Sequence, residues 1–131
     1  MAKLFRAAAE AEIVHAHAHL IVAGGIKGTA DNLKEAIEGE GFEFQKMYPK
    51  FVAEAKLEGN KQAEISFKNA MVVEEIHHGL YKGALNTIEA GSDLPAAKIY
   101  VCAVCGNTVT GKPPDKCPIC GAPKDHFAEV K

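Results

Sequence analysis

The sequence predicts a mainly α-helical protein that ends in a small cysteine-rich β/loop module. Three observations carry that expectation. Long stretches with apolar residues at helical spacing are bounded by glycine, at Gly24-Gly25, Gly59 and Gly91. On each stretch an acid is followed three residues later by His or Glu, in Glu12-x-x-His15, Glu40-x-x-Glu43 and Glu74-x-x-His77. All four cysteines lie in the last third of the chain, as two C-x-x-C pairs.

The first helix is expected from about Lys3 to Ala23, stopped by Gly24-Gly25. Thr29 or Asp31 then caps a second helix that runs through about Leu57. Pro49 falls inside it and removes one backbone bond, so a kink is predicted near Met47 and Tyr48. After the turn Glu58-Gly59-Asn60, a third helix covers about Lys61 to Glu89. The expected organisation is a helical domain over residues 1–91, a linker over 92–97 and a Gly/Pro/Cys-rich domain over 98–131. A formal charge of −2 argues against nucleic-acid binding, which needs a basic face. No apolar run approaches the roughly 20 residues needed to span a bilayer. Lys3, Arg6 and Glu10 interrupt the N-terminal apolar character, unlike a secretory signal. A cytoplasmic location is the expectation, and C-x-x-C pairs in a reducing compartment favour metal over disulfides.

Helical phase decides which acids matter. Heptad steps link Phe5, Glu12 and His19, and likewise Ala8, His15 and Val22, placing Glu12 and His15 on the apolar stripe. Glu10 and His17 share a face with Lys3 and point to water. His19 has a buried phase but lies a full turn beyond His15, which leaves its role open between a ligand and a hydrogen bond to a ligating carboxylate. In the second helix Glu40 falls between Leu33 and Met47 in phase, on the buried side, with Glu43 at its margin. "EEIHH" in the third helix offers two overlapping E-x-x-H pairs. Glu74 is in phase with Phe67 and Tyr81, and His77 with Ala70 and Ala84, whereas Glu75 is in phase with Lys68 and Lys82. Glu74 with His77 is therefore the inward pair, and His78 is expected to pack or cap.

Burying even one unpaired carboxylate is unfavourable by several kcal/mol, and four together also repel one another. Protonation or bound cations must relieve that. Glu12, His15, Glu40, Glu43, Glu74 and His77 present oxygen and nitrogen donors at the spacing of a dinuclear iron or manganese site in a helical bundle. Zinc is also compatible with such donors. In the C-terminal module Cys102, Cys105, Cys117 and Cys120 have tetrahedral metal-site spacing, and each pair is followed by a glycine that lets backbone N–H groups turn toward sulfur. Spacing alone does not separate zinc from iron there.

The stretches "KLFRAAAEAEIVHAHAHL", "NLKEAIEGEGFEFQKMYPKF", "EEIHHGLYKGAL" and "YVCAVCGNTV…PPDKCPICGAPKDHF" resemble successive parts of the rubrerythrin family. The resemblance implies a ferritin-like diiron bundle joined to a rubredoxin-like domain with one iron on four cysteines. It implies Glu12 and Glu74 as bridging ligands, Glu40 as a terminal ligand and His77 on one iron. His15 and Glu43 would exchange as ligands of the other iron with oxidation state. The implied activity is reduction of hydrogen peroxide to water, with electrons from rubredoxin or an NAD(P)H-dependent reductase relayed through the sulfur-bound iron. Tyr48 or a protonated glutamate would supply a proton, which makes Glu43, His15 and Tyr48 the candidate catalytic groups. The family's bundle has a further helix, carrying one more glutamate, ahead of the position where this chain begins. Three helices of a ferritin-like bundle are therefore expected, completed in a homodimer or higher homo-oligomer by helix exchange. Closure by a separate chain and a truncated product are the alternatives.

Overall fold

A computed structural model describes all 131 residues, which form two compact units, residues 1–32 and 33–131. The first unit is dominated by helix α1 (Ala2–Val22), which ends through Ala23 with Gly24 at φ +71°. That left-handed position is the glycine stop the sequence predicted. No residue of α1 is buried, and Leu4, Phe5, Ile13, Val14 and Ile21 are all exposed. Helix α2 (Thr29–Phe42) starts at the boundary of the two units. Asn32, rather than Thr29 or Asp31, ties down its start. The side-chain oxygen of Asn32 accepts from the Lys27 N–H and its amide donates to the Lys27 carbonyl, both at 2.9 Å.

In the second unit, α2 continues through a π-helical turn (Glu43–Met47) into α3 (Tyr48–Leu57). The predicted kink takes this form because Pro49 has no N–H to give. One residue earlier, the Tyr48 N–H reaches back five positions to the Glu43 carbonyl. Asn60 then caps α4 (Lys61–Glu89) by accepting from the Ala63 N–H at 3.1 Å. Helices α3 and α4 pack against each other, with Val52 and Ala55 of α3 buried and Tyr48, Phe51 and Phe67 in tilted and edge-on ring contacts. Glu64 is also buried there, held by Lys68 at 2.7 Å and Lys61 at 3.1 Å.

The C-terminal segment forms an antiparallel sheet in the order β2-β1-β3, from β1 (Ile99–Cys102), β2 (Thr108–Thr110) and β3 (Phe127–Glu129). Its core is Cys102, Cys117, Ala122 and Phe127. Three helical segments and a small antiparallel sheet agree with the predicted mainly α fold class. No helix is long and apolar enough to cross a membrane.

Candidate metal centres

The four cysteine sulfurs converge, all within 4.8 Å of one another. Cys102 and Cys120 place their Sγ atoms 3.7 Å apart, and Cys105 and Cys117 theirs 3.6 Å apart. These separations are far too long for a disulfide, near 2.05 Å. They match the edge of a tetrahedron with metal–sulfur bonds of about 2.3 Å, which is ~3.8 Å. Two tight turns create the cluster. Gly106 (φ +82°) and Gly121 (φ +77°) follow the two C-x-x-C pairs, and each N–H bonds the carbonyl of the first cysteine, at 2.8 and 2.9 Å. A side chain at either position would be strained.

Backbone donors turned inward bias one thiol, that of Cys117, toward thiolate. Burial pushes Cys117 up, but the N–H groups of Cys120 and Ile119 outweigh it and hold the group at about 7. At Cys105 burial prevails and the thiol is raised, despite the backbone N–H of Asn107. Asn107 is 1 % exposed, and its side-chain amide also donates to Cys117 Sγ at 3.7 Å. One residue thus serves two sulfurs. Donors to thiolate favour the more negative, reduced state of a bound iron. Asn107→Ala is expected to lower the reduction potential of that iron by an amount on the order of 59 mV, a tenfold change in a one-electron equilibrium. A redox titration followed by visible absorption measures it.

The second cluster lies on the helices. Glu40, Glu74 and His77 bring one donor atom each to within 4.8 Å of one another. His77 Nδ1 is 2.8 Å from Glu74 Oε2 and 3.8 Å from Glu40 Oε1. All three side chains are about four-fifths buried, at 18 to 23 % exposure. Glu75 is exposed, so "EEIHH" turns its first acid inward. His78 packs edge-on against Phe44 at 5.2 Å. The contrast with Glu64 is informative: two lysines offset its charge, whereas Glu40 and Glu74 face each other. Burial first, and then hydrogen bonding to Glu74 and the charges of Glu74 and Glu43, raise the Glu40 carboxyl to about 7. Burial and the same three carboxylates also raise the Tyr48 phenol. The cluster is short of positive charge, the condition a bound cation would satisfy.

Glu43 is half-buried at the start of the π-turn, close enough for its charge to act on Glu40 and Tyr48, but outside the converged trio. Glu12 and His15 form their own pair on α1, 3.6 Å apart and 77 % and 61 % exposed. Sequence reasoning overlooked Asn107 and Thr108. Thr108 Oγ1 lies 2.9 Å from His77 Nε2, a contact across 31 residues that no local pattern announces.

The raised Glu40 carboxyl makes the metal-free protein pH-sensitive. A carboxyl that titrates at about 7 when folded and at 4.5 when free stabilises the fold below pH 4.5 and loses that contribution as pH rises through 7. Thermal melts of metal-free protein are expected to fall over this window. Glu40→Gln should flatten the difference, which is read from melts of both proteins at each pH.

A helical cluster of carboxylates and histidine beside a tetrathiolate turn defines a metalloprotein with one oxygen/nitrogen site and one sulfur site. The chain belongs to the rubrerythrin family: the family profile described as Rubrerythrin matches residues 1–85, and that of the rubrerythrin rubredoxin-like domain matches residues 100–128. It is 36% identical to Rubrerythrin-2 of Clostridium acetobutylicum, over 95% of this chain and 76% of that protein. Nigerythrin of Nitratidesulfovibrio vulgaris is 35% identical, over 97% of this chain and 68% of that protein. A structure of nigerythrin in a mixed-valent state superposes with a TM-score of 0.71 at 36% identity, covering 79% of this chain and 50% of that one. A putative rubrerythrin of Methanocaldococcus jannaschii, 42% identical, is spanned over 52% of its length. The family binds two irons at a carboxylate/histidine site and one at a tetracysteine site; the four sulfurs above fit the single iron, and Glu40, Glu74 and His77 supply three donors toward the pair.

Proposed function

We propose that this chain is a non-haem diiron peroxidase that reduces hydrogen peroxide to water and protects against oxidative stress. The observation that carries the reading is the convergence of Glu40, Glu74 and His77, in the same compact unit as a sulfur tetrahedron. Iron held by Glu40, Glu74 and His77 would supply the two electrons that, with two protons, convert one hydrogen peroxide to two waters. Tyr48, its phenol kept protonated by burial and by three carboxylates, would give a proton to the departing hydroxide. Glu43 opens the π-turn, an irregularity frequent at functional sites, and would be the ligand that moves in and out. An iron held by Cys102, Cys105, Cys117 and Cys120 would take electrons from rubredoxin or an NAD(P)H-dependent reductase. Four unpaired cysteines suit a reducing cytoplasm.

The functional unit in this reading is a homodimer. Exposed Leu4, Phe5, Ile13 and Val14 give α1 an apolar surface suited to a second copy. In such a pair Glu12 and His15 of one chain meet Glu40, Glu43, Glu74 and His77 of the other, with residues 1–91 as the helical domain and 98–131 as the tetracysteine domain, joined by a 92–97 linker. The exposure of Glu12 and His15 favours a second reading, a metal-binding or electron-transfer protein with an incomplete diiron site and little turnover.

The two readings separate on one preparation. Protein loaded anaerobically with ferrous iron is counted for metal, weighed in solution and given peroxide. About three irons per chain in a dimer that consumes peroxide over many turnovers supports the enzyme. One metal per chain, or a single slow oxidation, supports the alternative.

A further inference from the structure

Thr108 opens β2, three residues beyond Cys105, and its hydroxyl makes two contacts. It lies 2.9 Å from His77 Nε2 and donates to the Gly106 carbonyl at 3.2 Å. A threonine hydroxyl has one proton. With that proton given to Gly106, the oxygen is left to accept from His77, so Nε2 carries a hydrogen. The other ring nitrogen, Nδ1, faces Glu74 at 2.8 Å and Glu40 at 3.8 Å. The contact therefore fixes the orientation of the ring and keeps a hydrogen on Nε2, so that a metal at the trio would take the place of the proton Nδ1 shares with Glu74. An outer partner commonly does this for a ligating histidine. Here the partner belongs to the other metal module.

The turn bearing Thr108 is itself built by the sulfur site. Its sequence is Cys105-Gly106-Asn107-Thr108, with the Gly106 N–H on the Cys102 carbonyl and the Asn107 amide on Cys117 Sγ. Packing reinforces the junction, since Gly106 sits close to Val73 on α4. A metal on the four sulfurs holds this turn rigid, and the turn holds His77.

We propose that Thr108 is a positioning residue for His77, through which metal occupancy of the tetracysteine site strengthens metal binding at Glu40, Glu74 and His77 in the same chain. The proposal rests on the reading of that trio as a metal site. Coupling of this kind is reciprocal, so each site raises the affinity of the other by the same factor.

The test uses the full chain with one equivalent of Zn(II) on its cysteines. Mn(II), which prefers oxygen and nitrogen donors, is then titrated in and followed by electron paramagnetic resonance. Thr108→Val is expected to weaken Mn(II) binding ~10- to 100-fold, the usual effect of losing an outer-shell partner. Thr108→Ser, which keeps the hydroxyl, should stay within about twofold of the unaltered chain by the same argument. Nitrogen-15 spectra of His77 should show a protonated Nε2 in the unaltered chain and the serine variant, and a partly deprotonated Nε2 in the valine variant. Stripping zinc should weaken Mn(II) binding in the unaltered chain but add little to Thr108→Val, the signature of a shared path. Thr108→Ala gives the same comparison should valine disturb β2, with zinc retention as the check on folding. Equal Mn(II) affinity in the hydroxyl-less variants, or a serine variant as weak as valine, overturns the proposal. Failure of the unaltered chain to bind Mn(II) refutes the metal reading itself, and the proposal with it.

Discussion

Replacing Glu74 by alanine is expected to empty the helical site while leaving the protein folded and red. Glu74 bonds His77 Nδ1 at 2.8 Å and is also the hydrogen-bond partner of Glu40, so one truncation breaks both links of the trio. The loss should exceed the 10- to 100-fold typical of removing an outer-shell partner, because a direct donor is gone. Iron content should fall from about three per chain to about one, and peroxide consumption should vanish with it. The colour persists because charge transfer from four thiolates to ferric iron does not involve the helices. Removing Glu74 also removes two of the influences that raise Glu40, so that carboxyl should titrate nearer its ordinary value. Glu75→Ala is the matched control. Its acid is exposed, and neither metal content nor turnover should change.

Cys117→Ser is expected to have the larger effect on folding. The C-terminal sheet has three short strands, and its buried core includes two of the metal-site cysteines, Cys102 and Cys117. So small a core supplies little hydrophobic stabilisation. Metal binding must make up the difference, and a tetrathiolate site supplies on the order of 10–16 kcal/mol of apparent binding energy that is also folding energy. Cys117 is the thiol most biased toward thiolate and the acceptor of the Asn107 amide. With serine there, the expected outcome is a colourless protein whose amides over residues 99–129 exchange rapidly, while α3 and α4 keep their protection. Hydrogen exchange by mass spectrometry reads both regions at once. Retention of iron and of amide protection in this variant would contradict the assigned role of the metal.

Much of this architecture could be read from residue order, because the relevant signals are local. Gly24 and Gly59 mark helix ends through their backbone freedom, and C-x-x-C-G states a turn in five letters. Phase arithmetic also separated Glu74 from Glu75, since adjacent residues on a helix point about 100° apart. What escaped depends on distance. Thr108 looks like an ordinary strand residue until folding sets it against His77, 31 positions away. Asn107 reads as a turn former, and only the closed sulfur cluster reveals what its amide serves. Glu64 had no pattern to set it apart, yet it is buried with two lysines. The exposure of α1 escaped for another reason: an apolar stripe predicts burial without naming the surface that provides it.

The wide turn from Glu43 to Met47 amounts to one extra residue threaded into an otherwise continuous rod. Winding the same residues regularly, without the wide turn, would rotate everything beyond it by about 100° around the axis. Tyr48 would swing away from the acids it now faces, and Val52 and Ala55 would leave their contact with α4. An irregularity that looks like a defect therefore sets the aim of the whole downstream segment, and a smoother rod would point its phenol at the wrong target.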